Sequence, residues 1–170
     1  PMLEKRMADE TIDWMHNQQA AAPDKPFFIY YAPGSTHAPH QAPRAYIDRF
    51  KGQFDMGWDR MRQDVLWHQK RKGVVPAGAE LAKRPESVPA WDSLSSEQKR
   101  LYARQMEVFA GALSYADAQF GRILDALKDS GELDNTIIVI ASDNGASAEG
   151  GHEPRRAFGY FETNPDQRTN

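Results

Sequence analysis

Two short segments of this chain hold side chains whose types and spacing could do chemistry. The first is Ser142-Asp143-Asn144-Gly145, which follows an all-apolar run from Ile137 to Ala141 and so brings a carboxylate and an amide oxygen to the turn that leaves it. Oxygen donors of this kind suit a hard cation, calcium or magnesium, better than a soft one. The same tripeptide is also a strong turn former whatever its chemistry. The second segment, Gly34-Ser35-Thr36-His37-Ala38-Pro39-His40, carries two histidines three residues apart, with Pro33, Pro39 and Pro43 around them. Proline fixes its own φ and so narrows the freedom of the loop, which helps to aim a proton donor or an anion contact. A His-x-x-His loop is also an ordinary surface pattern, and no further His or Cys stands where a zinc ligand would be expected.

The elements that must position these segments read as helix, strand, polar excursion, helix, strand and tail. Leu3, Met7, Trp14 and Met15 recur at spacings that fit one helix face, and the helix ends by Ala22, before Pro23. Phe27 to Ala32 is apolar or aromatic at every position, the pattern of a strand covered on both faces in a parallel sheet. The excursion covers about residues 44–94, with helical patches at Ala45 to Phe50 and Trp58 to Lys72 and then a stretch holding Pro76, Pro85 and Pro89.

From Ser95 the pattern sharpens. Ser95 and Gln98 fit a capping box, and Tyr102, Met106, Phe109, Leu113, Ala116, Phe120, Ile123 and Leu127 then alternate four and three apart. The spacing predicts a helix over Ser96 to Ser130, roughly 50 Å long at 1.5 Å per residue, with a bend near Gly111 or Gly121 and a left-handed stop at Gly131. A coiled coil would share the spacing, but the two glycines weaken it and the flanking strands favour packing on a sheet. Asp134 and Asn135 then turn the chain into a buried strand, Thr136 to Ala141. The expected fold is α/β, a mainly parallel sheet flanked by helices with a right-handed crossover, in which ligands gather at the carboxyl ends of the strands.

Composition excludes several classes. The 170 residues suit one globular domain, and a net charge of −3 lacks the concentrated basic surface that phosphate neutralisation needs, so no nucleic acid is expected. Arg60, Arg62, Lys70, Arg71 and Lys72 are interspersed with Asp59 and Asp64 and read as a solvated helix face. No stretch approaches the roughly 18 to 20 apolar residues of a membrane span, and no signal-peptide pattern opens the chain, so a soluble protein is expected. The absence of cysteine removes disulfides, thiolate metal sites and a Cys nucleophile, and leaves periplasmic and cytoplasmic placements both open.

Taken together, several stretches resemble the bacterial arylsulfatases. They are Pro26-Phe27-Phe28-Ile29-Tyr30-Tyr31-Ala32, then Thr36-His37-Ala38-Pro39-His40-Gln41-Ala42-Pro43, then Gly131-Glu132-Leu133-Asp134-Asn135-Thr136 leading into Ser142-Asp143-Asn144-Gly145. The likeness extends through Tyr102-Ala103-Arg104-Gln105-Met106-Glu107-Val108, Gly121-Arg122 and the region of Trp58 and Trp91, and covers most of residues 1–150. Each motif is modest alone; the order and spacing are specific. The resemblance implies an alkaline-phosphatase-like α/β core and hydrolysis of sulfate esters. The nucleophile would be the hydrate of a formylglycine made from Cys or Ser, with calcium as the metal (magnesium second). By the same resemblance His37 matches the sulfate-contacting histidine, and Asp143 and Asn144 match the two late metal ligands. For His40 a contact at the substrate rim is the alternative and no role is assigned, while His16, His68 and His152 read as surface or structural.

The departures from that family are absences. The precursor motif, roughly Cys/Ser-x-Pro-x-Arg, belongs upstream of His37; Ser87-Val88-Pro89-Ala90-Trp91 lacks the arginine and lies downstream. The early acidic metal ligands belong to a first strand, whereas Asp9, Glu10 and Asp13 fall on a helix, and no lysine follows Lys128. Residues 1–170 therefore read as the central part of one sulfatase catalytic domain, incomplete at both ends and expected to be inactive alone. A phosphodiester or phosphonate monoester hydrolase of the same superfamily, and a non-catalytic binding protein that retains the fold core, are the alternatives.

Overall fold

The structure, a computed structural model, describes residues 2–142, which hold four α-helices joined by extended segments and single turns of 3-10 helix. The helices are α1 (Leu3–Ala21), α2 (Arg44–Ile47), α3 (Gly57–Arg71) and α4 (Ser96–Asp129). The chain divides after Thr136 into two units, and all four helices belong to the first. None of them is long and apolar enough to cross a membrane.

Helix α4 is the spine of this unit, continuous over 34 residues. It starts where the sequence says it should: the Gln98 amide donates to Ser95 Oγ at 3.2 Å and the Ser95 amide donates to Gln98 Oε1 at 3.0 Å, so two otherwise orphan amides are satisfied reciprocally. It stops at Gly131, whose φ of 77° is left-handed, with the Gly131 amide donating to Lys128 O at 3.0 Å and the Glu132 amide to Leu127 O at 2.9 Å. That double closure satisfies carbonyls of the last turn, and glycine takes the left-handed turn without a Cβ penalty.

Helix α1 packs along the C-terminal half of α4, and α2 crosses its middle. Ala8 and Met15 of α1 meet Ile123, Ala126 and Leu127 of α4 in the buried core. Only Met15 of the apolar face expected on α1 is buried; Leu3 is 57% exposed and Trp14 44%. The buried line runs instead through Glu4, Ala8 and Met15. The same rotation occurs on α4, where Leu113 is exposed and the seam runs through Ala103, Glu107, Gly111, Tyr115, Gln119 and Ile123. Where α2 crosses, a residue without a side chain on that seam lets the backbones approach. A Cβ on Gly111 would lie 2.8 Å from Ile47 Cα, so α2 can cross there only on a glycine. Gly111 thus serves a close approach of α2.

The mainly parallel sheet is not built among the described residues, where no segment is paired as a strand. Phe27 to Ala32 runs extended, but it alternates instead of being covered on both faces. Phe27, Ile29 and Tyr31 pack on the α1/α4 core, while Phe28 and Tyr30 stand 86% and 84% exposed. A strand is defined by the ladder of a neighbour, and none of the described segments supplies one. Ile137, Val139 and Ile140 are likewise exposed, so the segment expected as a buried strand at Thr136 to Ala141 is neither buried nor paired among the described residues.

The excursion over residues 44–94 is held by its aromatic residues. Trp58 lies edge-on to Trp91 (4.8 Å between ring centres) and to Tyr102 of α4 (5.5 Å), and its indole Nε1–H donates to Pro89 O at 3.0 Å. Asp59, expected on a solvated face, instead accepts the Trp91 amide at 2.9 Å and pairs with Arg84 at 3.0 Å. Arg60 and Asp64 do form an exposed pair one turn apart, as a solvated face would. On α4, Glu107 accepts the Gly52 amide at 2.8 Å and Arg104 at 2.6 Å. Burial acts to raise its pKa, but the Arg104 and Gly52 hydrogen bonds outweigh that, and the carboxyl falls below its ordinary range.

Candidate active site

The loop that carries His37 leaves the extended segment at Pro33 and is tied to the helices at both of its ends. At the near end, Ser35 Oγ donates to Glu4 Oε1 on the first turn of α1 at 2.7 Å. At the far end, the His40 ring stands edge-on to Phe109 of α4, with 5.2 Å between centres. Between these ties the His37 amide donates to Gly34 O at 2.8 Å, closing a turn, and His40 Nε2 lies 3.1 Å from Thr36 O. The Ser35–Thr36 and Ala38–Pro39 peptide bonds are cis.

His37 itself is exposed, and its Nδ1 lies 2.7 Å from Ala38 O. A carbonyl oxygen only accepts, so this contact requires the proton on Nδ1. Nε2 is then the outward nitrogen: a lone pair when the ring is neutral, a donor when it is charged. His40 is set the other way, with its proton on Nε2 toward Thr36 O. His37 therefore has a nitrogen to offer a ligand, while His40 holds the loop on α4. The sequence left His40 without a role because its contacts, the Phe109 ring 69 residues on and Thr36 O within the turn, exist only in the folded loop.

Asp143 and Asn144 lie outside the described residues, so their placement relative to His37 is likewise outside them. Among the described residues no group of three or more His, Asp or Glu side chains could hold a metal ion. The donor set of Asp143 and Asn144 fits a hard cation in kind but not in number, because two side chains give only a part of the six to eight oxygens calcium takes. His16 and His68 lie exposed on α1 and α3, and His68 stands against Trp67; His152 lies outside the described residues. The contact that sequence reasoning missed is Glu4 with Ser35. An acidic residue in a first helical turn has a routine explanation in the helix dipole, and a partner 31 residues away leaves no local signal.

The sulfatase family model matches residues 1–169, and the chain belongs to the sulfatase family, whose domain has the alkaline-phosphatase-like fold. Its similarity to individual proteins points the same way. It is 36% identical over 140 residues to an uncharacterized sulfatase of Schizosaccharomyces pombe, covering 82% of this chain and 25% of that protein. It is 32% identical over 148 residues to an arylsulfatase of Klebsiella aerogenes, covering 87% of this chain and 30% of that protein. An arylsulfatase of Clostridium perfringens is 27% identical over 139 residues, covering 82% of this chain and 25% of that protein. The chain thus spans between 25% and 30% of the length of these relatives.

Proposed function

We propose that this chain supplies the histidine and two metal-binding side chains of a sulfatase domain that hydrolyses sulfate esters of the arylsulfatase type. The observation that carries the reading is the set of the His37 ring, exposed, with Nδ1–H held by Ala38 O and Nε2 left outside that bond. Similarity to proteins named arylsulfatase supports the substrate class.

The chemistry asks for what these residues offer. A sulfate monoester brings dispersed negative charge to the site, and its alkoxide or phenoxide leaves poorly unless it is protonated or stabilised. His37 in the imidazolium form donates from Nε2 to a sulfate oxygen or to the leaving oxygen. The Ala38 carbonyl accepts from Nδ1–H, which leaves Nε2 as the nitrogen for the ligand. Asp143 and Asn144 would hold calcium, which when bound supplies positive charge opposite the sulfate oxygens. The proposed nucleophile is a formylglycine, for which these 170 residues hold no precursor motif. In the complete domain, Phe27 to Ala32 and Thr136 to Ala141 would be strands of the mainly parallel sheet, delivering His37 and Asp143 at their carboxyl ends.

The test is a substrate panel run on the complete domain: an aryl sulfate, a phosphodiester and a phosphonate monoester. The aryl sulfate is expected to give the highest kcat/KM. A clear preference for either phosphorus ester would replace the sulfatase reading with another hydrolase of the same superfamily. The 170-residue chain alone should show no turnover above background, and turnover lost in its His37→Ala variant would contradict that.

A further inference from the structure

We propose that Glu4 is a positioning residue, whose carboxylate holds Ser35 and through it sets the direction of the His37 ring. This rests on the reading of His37 as the group that meets the substrate, and it assigns a role to a side chain no motif marks.

Glu4 is 9% exposed although it lies in the first turn of a helix, where acidic side chains ordinarily sit in water. A carboxylate taken out of water needs hydrogen-bond donors, and Ser35 Oγ provides one at 2.7 Å. The helix beneath is a firm support: Ala8 and Met15, one and three turns further on, are fully buried against α4. The loop beyond is not firm by itself. His37 touches its own loop through the turn to Gly34 O and the bond to Ala38 O, both local, and its ring is exposed. Its position relative to the helices is therefore inherited from the two ties on either side, Ser35 to Glu4 and His40 to Phe109.

The two ties differ in kind. The ring contact of His40 with Phe109 tolerates sliding, whereas a short hydrogen bond to a buried carboxylate fixes both distance and direction. Ser35 is also only two residues from His37, so a change in its backbone reaches the imidazole before it can be absorbed. An acid that merely complemented the α1 dipole would be solvated and would have no partner across the fold.

The experiment reads the imidazole nitrogens of His37 in the 170-residue chain by long-range proton–nitrogen correlation spectra at a pH where the ring is neutral. In the wild type the Nδ1–H tautomer is expected to dominate, as the bond to Ala38 O requires. In Glu4→Ala and in Ser35→Ala that tautomer should fall to a minority, and the double variant should be no worse than either single one. Glu4→Gln, whose amide oxygen still accepts from Ser35, should keep the wild-type signature. An unchanged His37 signature in both alanine variants would overturn the proposal, and so would equal loss in Glu4→Gln. Should Glu4→Ala unfold, Ser35→Ala decides alone, since it truncates only a loop hydroxyl. The readout is independent of turnover: full activity of His37→Ala in the complete domain would remove the functional reading while leaving this clamp intact.

Discussion

Arg122 of α4 reaches Asp9 of α1 with 2.6 Å between Nη2 and Oδ1, and the same carboxylate takes Lys5 at 2.6 Å through its other oxygen. Each oxygen has its own cation, so the pair joins the two helices that carry the core on one flank. The hydrogen bonds from Lys5 and Arg122 hold the Asp9 carboxyl below its ordinary pKa. A carboxyl lowered on folding adds stability above its unfolded value, about 3.9, and that stability is lost as pH falls through the lower folded value.

Replacing Asp9 by Asn should therefore destabilise the chain at neutral pH and leave it nearly unchanged well below pH 3.9. Urea unfolding of the wild type and Asp9→Asn across pH 2 to 7 measures this. Curves that keep the same separation at both ends of that range would contradict the assignment.

Gly111 and Gly121 of α4 give a paired prediction of opposite sign. A Cβ on Gly111 meets the Ile47 backbone at 2.8 Å, whereas one on Gly121 meets nothing within 4 Å among the described residues. Gly111→Ala should cost about 1–3 kcal/mol through overpacking, beyond any gain in helix propensity. Gly121→Ala should add about 0.5–1 kcal/mol. Denaturant midpoints of the two variants moving in the same direction would count against the crossing at Gly111.

The Tyr31 hydroxyl is buried with no hydrogen-bond partner among the described residues, and burial pushes its phenol up. Tyr31→Phe removes an unsatisfied polar atom and keeps the ring against Phe120. The variant should unfold at a higher urea concentration, by about 1 kcal/mol. A loss of that size would reveal a partner for the hydroxyl.

How much of this was legible follows from what each signal depends on. Helix limits were readable at Ser95, Gln98 and Gly131 because capping is local chemistry between residues a few positions apart. The faces were not. On α1 and α4 the large apolar residues mark one stripe, but the seam lies a step around, on Glu4, Ala8, Ala103, Glu107 and Gly111. Close helix approach selects small side chains, and Glu4 and Glu107 are buried only because Ser35, Arg104 and Gly52 donate to them. Phe27 to Ala32 shows the same division: its extended backbone could be read, its neighbours could not, since pairing is a property of two segments. At the site, the motif singled out His37, but the nitrogen it presents depends on Ala38 O, a contact of the folded loop.

Calcium gives a further prediction. Asp143 and Asn144 together offer too few oxygens for a closed coordination sphere, so calorimetry on the 170-residue chain should show no tight stoichiometric binding. In the complete domain, chelation should abolish sulfate ester hydrolysis and added calcium restore it, with Asp143→Ala resisting rescue. Tight binding to the isolated chain, or full activity after chelation, would exclude this metal role.

The most direct measurement is steady-state hydrolysis of an aryl sulfate by the complete domain with and without His37→Ala. A proton donor at Nε2 contributes roughly 10²-fold to 10⁴-fold, so kcat should fall by that factor, and less for a substrate whose leaving phenol is strongly acidic. Equal kcat and KM for the two proteins would show that the imidazole takes no part in the reaction.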